Sequence, residues 1–392
     1  MATGTSAGLL DEKHAQSMFK HAILRQYLPR FIAKTGSRSP RVLLVDGYAG
    51  TGDSGAGPGS AKLMLQAARD TGSLTQVDIY LVESNATNYK RLSETAALFR
   101  QNGIQVQDRK GRIEDELPPI IAGSKGAALF LFLDPCGALM PFDYVRDTLT
   151  GPRAAKFPPT EGFLNFSDGL VRRAAGQVLK HSSDQEGAAR LDGVCGGPWW
   201  RDIAARLRPR DAAESFEAIA QAVANEYARR LASATSMDGI VVPVRKRIDH
   251  QPIYHLIFLT RHTEGLWSFA DCLGAAWPEW VEAMAREPDR SQPDLFNGAG
   301  VTLEGATLRA QLKRDALRQQ AESAAAVEAN IRRIAATGQK FRLVDHVAEV
   351  FADVLGIARE KQARSAVAAL LKRGEIRLVR ADKRLQRRLY SR

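Results

Sequence analysis

Three acidic residues, each closing an apolar stretch, carry most of the chemical interest of this sequence. Asp46 ends VLLVD and opens a turn in which six glycines fall between Gly47 and Gly59; Glu83 ends DIYLVE; Asp134 ends ALFLFLD. A strand that runs into an acid, a turn carrying Gly47, Gly50 and Gly52, and then a helix lets bare backbone approach a nucleotide-like ligand at the carboxyl edge of a sheet. The loop over 52–60 is long for a dinucleotide fingerprint and lacks the GKS or GKT of a P-loop. Both facts count against NAD and against nucleoside triphosphate hydrolysis. Glu83 can accept hydrogen bonds from both ribose hydroxyls of an adenosine, at roughly 1.5 to 3 kcal/mol for each bond to a charged group. S-adenosylmethionine has no pyrophosphate to cradle, and its ammonium and carboxylate would meet Asp46 and the loop amides respectively. The plain alternatives are a flexible surface loop and a solvent-exposed strand end.

Asp134 is followed by Pro135, which removes a backbone donor and fixes the turn. In amino-directed methyltransferases a polar residue and prolines at this place hold a nucleophilic NH2 in line with the sulfonium methyl, and positioning of that kind supplies much of the rate. Asp134 and Pro135 are therefore the catalytic candidates, the alternative being an acid that only binds the cofactor or caps a turn. Cys136 opens another reading, because cytosine-C5 methyltransferases use a cysteine after a proline as nucleophile. They also need a carboxylate after the next strand, where this chain reads FLNFSDG and offers only Asp168 nearby. A buried, inert thiol is the alternative for Cys136. Trp199 and Trp200, with Arg172 and Arg173, could form a platform for a base or could pack inserted helices. The histidines lack metal spacing; His255, on an apolar strand, reads as a satisfied core residue, and His21 as a possible substrate contact.

These residues need a scaffold, and the pattern of the chain supplies one. A helix over 11–33, which Pro29 should kink or divide, precedes strands over 41–46, 77–83, 105–109, 127–134 and 162–166. Helices over 61–69, 85–102 and 117–122 fall between them. Near-continuous apolar strands separated by helices predict a parallel sheet covered on both faces. Residues 168–236 read as a helical insertion; 239–245 and 253–260 should pair as a hairpin at one sheet edge, and a helix follows over 266–285. The fold class is α/β: a class I methyltransferase-like, doubly wound sheet with an antiparallel edge hairpin, a helical insertion and a C-terminal winged-helix domain. The domains are 1–35 (N-terminal helical segment), 36–285 (Rossmann-type domain with its insertion at about 168–236), 286–305 (linker) and 306–392.

Of the net charge of +11, the last fifty-two residues carry +7, from 13 Lys/Arg against 6 Asp/Glu. A long charged helix over 307–336 leads to an amphipathic helix over 343–355, a turn, a helix over 363–373 and two short strands around 381–383. Helix, turn, helix and basic hairpin is the winged-helix layout. It would set the second helix in a groove and Arg380, Lys383, Arg384, Arg387 and Arg388 on phosphates. Nucleic acid is the predicted partner; a solvated basic tail, or a winged helix used for docking, is the alternative.

Composition fixes the class. With 44% apolar and 25% charged residues the chain is an ordinary globular protein. Its longest apolar run, 126–133, is far shorter than the roughly 20 residues a membrane helix needs, and the N-terminus shows no signal peptide, so cytoplasm is expected. Three widely spaced cysteines without CxxC spacing predict neither a disulfide framework nor a structural metal.

The motifs KHAILRQYLPRF (20–31), DGYAGTG with a following GS (46–52 and 59–60), FLDPCG (132–137) and IYHLIFLTRHTEGL (253–266) resemble the bacterial three-Cys-motif partner proteins, over roughly residues 20–285. The resemblance implies a Rossmann-type, methyltransferase-like domain and a companion protein bearing a three-cysteine motif. Two departures stand out: Cys136 replaces an expected aromatic, and Gly111 with Arg112 replaces an expected Gly-Asp pair, a place that Glu114 or Asp115 could fill. The resulting expectation is an S-adenosylmethionine-dependent methyltransferase acting on an exocyclic amino nitrogen of a nucleic-acid base. The alternatives are a non-catalytic nucleic-acid-binding regulator or scaffold for the three-Cys companion, and a cytosine-C5 methyltransferase using Cys136.

Overall fold

The computed structural model describes residues 15–54, 57–72, 74–180, 185–208, 216–247, 250–284 and 303–392. Two compact units account for them. The first comprises Leu28–Arg245 and His250–His262, the second His14–Tyr27, Lys246–Asp249 and Thr263–Arg392. The predicted linker falls largely outside the described residues, as does the predicted start of the first helix.

The first unit is built on β1 (Arg41–Asp46), β4 (Gln76–Glu83), β5 (Gln105–Lys110), β6 (Ala127–Leu133), β7 (Thr160–Ser167), β8 (Asp238–Val244) and β9 (Tyr254–Thr260). They form one seven-stranded sheet in the order β5-β4-β1-β6-β7-β9-β8. The pairs β1 with β4, β1 with β6, β4 with β5 and β6 with β7 are parallel, while β9 runs antiparallel to both β7 and β8. The expected edge hairpin is present, and its second strand is the inner one. Pro243 can therefore sit in β8, an edge strand that needs no ladder bond from it. All seven residues of β6, AALFLFL, are buried, which is how a strand covered on both faces reads. The sheet is the predicted class I methyltransferase-like arrangement.

Crossover helices follow the strands: α2 (Ser60–Thr71), α3 (Ala86–Gln101), α4 (Ile113–Ala122) and α5 (Phe142–Leu149). Helix α5, which the sequence reading missed, shows its periodicity only over eight residues. The 168–236 segment is helical as expected, as α6 (Asp168–Leu179), α7 (Glu186–Cys195), α8 (Trp200–Arg206) and α9 (Glu217–Thr235). Helix α1 (Ala15–Gly36) is continuous through Pro29, so of the expected kink or division the division does not occur. At the amino edge of the sheet the buried Arg153 donates to the carbonyls of Ser124, Ala127 and Pro159 and to Thr160 Oγ1. Burial lowers its guanidinium to about 10, yet it stays charged, because carbonyl dipoles replace the lost water.

The second unit holds α10 (Thr263–Met284), α11 (Leu303–Ala335), α12 (Val347–Phe351), α13 (Glu360–Lys372), β10 (Arg377–Arg380) and β11 (Leu389–Ser391). Helix α10, assigned on sequence to the sheet domain, groups with the C-terminal elements for visible reasons. Asp271 on α10 caps α13 by accepting from Glu360 N (3.0 Å) and from Arg359 Nε (3.2 Å), and Trp267 Nε1 donates to Glu360 Oε2. Gly274 lets the two backbones meet; a Cβ there would lie 2.5 Å from the Ala358 oxygen. The single amphipathic helix expected over 343–355 is instead a 3-10 turn, α12 and another 3-10 turn, broken at Ala352 with φ of 29°. Strands β10 and β11 pair antiparallel, and Phe341 bridges to Tyr390 on the far side of β11. They lie on either side of the predicted 381–383 turn, joined by a longer connection that includes a 3-10 turn at Leu385–Arg387.

Candidate functional site

The strand order reverses at β1, which has β4 on one side and β6 on the other, and open α/β sheets bind their ligands outside the carboxyl ends of the strands at such a reversal. Register places the candidate residues there. Asp46 is level with Leu81 on β4 and with Phe132 on β6, so Glu83 and Asp134 each lie two residues beyond that level on the two flanking strands. Three segments distant in sequence thus bring Asp46, Glu83 and Asp134 to one edge, with the glycine turn between them.

The turn after β1 is tied to both neighbours. Gly47 N donates to Phe132 O and Ala49 N to Val82 O, each at 2.9 Å. Asp46 is fully enclosed, and its Oδ1 accepts from Tyr48 N at 3.1 Å, so its carboxylate holds the turn from within. The three predicted glycines have different reasons to be glycine. A Cβ on Gly47 would lie 2.6 Å from Leu133 Cδ2 and 2.9 Å from Ile113 Cγ1, a packing constraint. Gly52 has φ of +78° and faces Leu92 and Thr95. Gly50 has φ of +61° and nothing within 4 Å of the Cβ position, so its backbone borders open space. The long loop that follows is partly structured: β2 (Asp53–Ser54) pairs with β3 (Gly57–Pro58), and Lys62 forms an ion pair with Asp53.

Glu83 is half-buried, and its Oε1 accepts from Asn85 N at 2.6 Å. Asn85 in turn caps α3, its Oδ1 accepting from Thr87 N and Asn88 N. One carboxylate oxygen is thereby fixed by the helix entrance, which orients the other. Beyond β5, Glu114 lies close enough to Tyr48 to help burial raise the tyrosine's phenol, while Arg112 opposes it. Glu114 is therefore near the β1 turn, where an acid from the third strand was sought.

Asp134 is half-buried, and its Oδ1 accepts from Asn165 Nδ2 at 2.7 Å. The sequence reading passed over Asn165; a polar side chain in the middle of the apolar strand GFLNF was the signal that could have found it. Pro135 is buried. Cys136 is exposed, not the buried thiol that served as its plain alternative. Asp168, the only acid at hand for a cysteine-based mechanism, is 1% exposed, and its Oδ1 is 2.6 Å from His255 Nδ1. His255 Nε2 meets Gln221 Oε1 at 3.0 Å. His255 is thus the satisfied core residue expected, and Asp168 is enclosed and engaged with it.

The tryptophan platform is rearranged. Trp200 is fully buried and donates to Asp192, whereas Trp199 lines a pocket with Arg230, not with Arg172 or Arg173. In the second unit, Arg380 and Lys383 are exposed. Arg384 and Arg387 both donate to the Glu264 carboxylate, and Arg388 Nε donates to Asp382 O at 3.0 Å. Two of the five predicted phosphate contacts are therefore tied to one carboxylate, which answers one of their two charges. The exposed face of α13 adds Lys361 and Arg364, although Arg364 pairs with Glu360.

No family model matches the sequence, and no curated protein does. Among solved structures, M. jannaschii TYW2 in complex with AdoMet is similar at 12% identity over 58% of this chain and 71% of that one, with a TM-score of 0.28. A putative caffeoyl-CoA O-methyltransferase from Staphylococcus aureus matches at 12% identity over 59% and 80%, TM-score 0.31. The methyltransferase domain of bacterial CtHen1 matches at 10% identity over 61% and 98%, TM-score 0.32. These likenesses are distant, and what can be said of the site rests on the geometry of this chain.

Proposed function

We propose that the protein is an S-adenosylmethionine-dependent methyltransferase whose acceptor is an exocyclic amino nitrogen of a nucleic-acid base. The observation that carries this reading is the convergence of Glu83, the open turn at Gly50 and Asp134 on the one sheet edge where the strand order reverses. Glu83 would accept from the ribose hydroxyls, and the amides around Gly50 would hold the methionine end. The bound cofactor supplies an electrophilic methyl on its sulfonium sulfur. Asp134 accepts a hydrogen bond from the acceptor amino group and turns the nitrogen lone pair toward that methyl. Transfer of that methyl would leave one proton too many on the acceptor nitrogen, and Asp134 would take it and pass it to solvent. Asn165 keeps Asp134 in one orientation for this task.

The C-terminal elements serve as a winged helix in this reading, with α13 as the groove-reading helix and Arg380 and Lys383 on phosphates. The internal pairing of Asp168 with His255 disfavours the cytosine-C5 alternative, since that acid cannot serve the base.

Calorimetric titration with S-adenosylhomocysteine, followed by methyl-label transfer onto total nucleic acid, tests the reading. Glu83→Ala should weaken binding roughly ten- to hundredfold, the loss expected for one or two bonds to a charged group. Asp134→Ala should keep affinity and lose transfer. Absence of measurable affinity in the unsubstituted protein would leave only a non-catalytic binding fold.

A further inference from the structure

A concave site lies on the first unit, and none of the residues assigned to the cofactor lines it. It is a pocket of about 320 Å³ whose walls include Phe142 at the start of α5, Cys195 and Gly196 at the end of α7, Trp199, and Arg229 and Arg230 on α9. That volume is at the lower end of the roughly 300 to 1,000 Å³ typical of small-ligand sites.

Its walls are fixed by hydrogen bonds and ring contacts. The indole N–H of Trp199 donates to Cys195 O at 2.9 Å, which sets the plane of the ring. The Arg230 guanidinium carbon lies 4.5 Å from the Trp199 ring centroid, a cation over an aromatic face. Gly196, with φ of +68°, is packed so closely that a Cβ would meet Phe142 Cβ at 2.9 Å, so no larger residue fits that wall. Behind Phe142 stands the fully buried Tyr227, with ring centroids 5.8 Å apart, and Tyr227 packs in turn on Phe166 of β7. The aromatic wall is thus continuous with the sheet.

The charge is equally specific. Arg229 Nε and Nη2 and Arg230 Nε all converge on Glu226. Hydrogen bonds from Arg229 and then Arg230 hold that carboxyl down at about 2, so it is ionised at neutral pH. Two cations share one anion, leaving a net positive charge. Arg229 Nη1 and both Nη groups of Arg230 have no hydrogen-bond partner among the described residues. Planar donors over an aromatic face, with surplus positive charge, suit a flat ring that carries an anion.

We propose that this pocket binds a nucleoside monophosphate unit, its base against Trp199 and Phe142 and its phosphate on Arg229 and Arg230. The site requires neither Glu83 nor Asp134, so it stands apart from the methyltransferase reading.

Tryptophan fluorescence and calorimetry on the full chain decide it, with AMP, CMP, GMP and UMP as probes beside adenosine and inorganic phosphate alone. The expected result is saturable binding of at least one monophosphate, with quenching that Trp199→Leu abolishes and affinity that Arg230→Ala reduces roughly tenfold, the loss of one charge-assisted bond. S-adenosylhomocysteine affinity should be unchanged in both variants, which separates failure here from failure of the cofactor reading. Arg230 is 42% exposed and lies outside the buried core, so its substitution leaves the core intact. No saturable binding below about 10 mM, a very weak affinity, quenching that survives Trp199→Leu, or adenosine binding as tightly as AMP would each overturn the proposal.

Discussion

Asn165 Nδ2 lies 2.7 Å from Asp134 Oδ1, a bond between the middle of β7 and the residue that follows β6. Asn165 is nearly buried, at 7% exposure, so its amide cannot turn to water instead. A polar side chain inside an apolar strand is thereby explained by the acid it holds.

Replacing that amide tests whether orientation matters. Asn165→Asp would set two carboxylates within hydrogen-bond reach, and like charges so close raise the affinity of one of them for a proton. The acid limb of methyl transfer should then move to higher pH, with S-adenosylhomocysteine affinity unchanged by calorimetry. An unmoved pH profile would leave Asn165 a structural residue only.

The two turn glycines should fail in different ways. Gly47→Ala drives a Cβ into Leu133 and Ile113 and should lower stability by about 1 to 3 kcal/mol in denaturant unfolding. Gly50→Ala meets no neighbour and should cost only the strain of a left-handed backbone, about 1 to 2 kcal/mol, while impairing ligand binding. Equal binding losses in both variants would contradict that division.

His255→Leu removes one half of a buried pair and strands Asp168 at 1% exposure. Leaving a buried hydrogen-bonding group without its partner typically costs about 1 to 3 kcal/mol. Adding Asp168→Leu should recover part of this loss, a coupling that a double-mutant cycle of unfolding free energies reads directly.

Asp108 sets an acid-side window. Burial works to raise its carboxyl, but hydrogen bonds from Arg100, Ser93 and Tyr89 outweigh it and hold the group below the ordinary 3.8. A depressed folded pKa adds stability that is complete above the unfolded value and disappears as pH falls through the folded one. Asp108→Asn should therefore lower stability at neutral pH and flatten its decline below pH 3.8, followed by thermal unfolding across that range.

In the second unit, charge already answered differs from charge still on offer. Arg380→Ala or Lys383→Ala should each reduce the salt slope of duplex affinity by about 0.9, one phosphate contact apiece. Arg387→Ala should change it less, because Glu264 holds that guanidinium. Fluorescence anisotropy of a labelled duplex at several salt concentrations separates these cases.

The centre of the sheet was legible because its strands there are apolar: AALFLFL and RVLLVD leave no other element to form, and the acids that end them mark the carboxyl edge. What escaped was local or long-range. Helix α5 spans eight residues, too few for a convincing period. The break at Ala352 depends on a strained backbone angle at a residue that ordinarily favours helix. The pairings of Asn165 with Asp134, Asp168 with His255 and Arg387 with Glu264 join residues 31, 87 and 123 positions apart, which no spacing rule reaches. The assignment of α10 to the second unit depends on Asp271 capping a helix about ninety residues downstream.

Because the backbone at Gly47 and Ala49 is bonded to the ends of the strands on either side, this turn cannot drift unless β4 or β6 moves with it. On the proposed methyltransferase reading, a change of acceptor preference would be written in the segments that follow β6 and β7, around a floor that these bonds hold still.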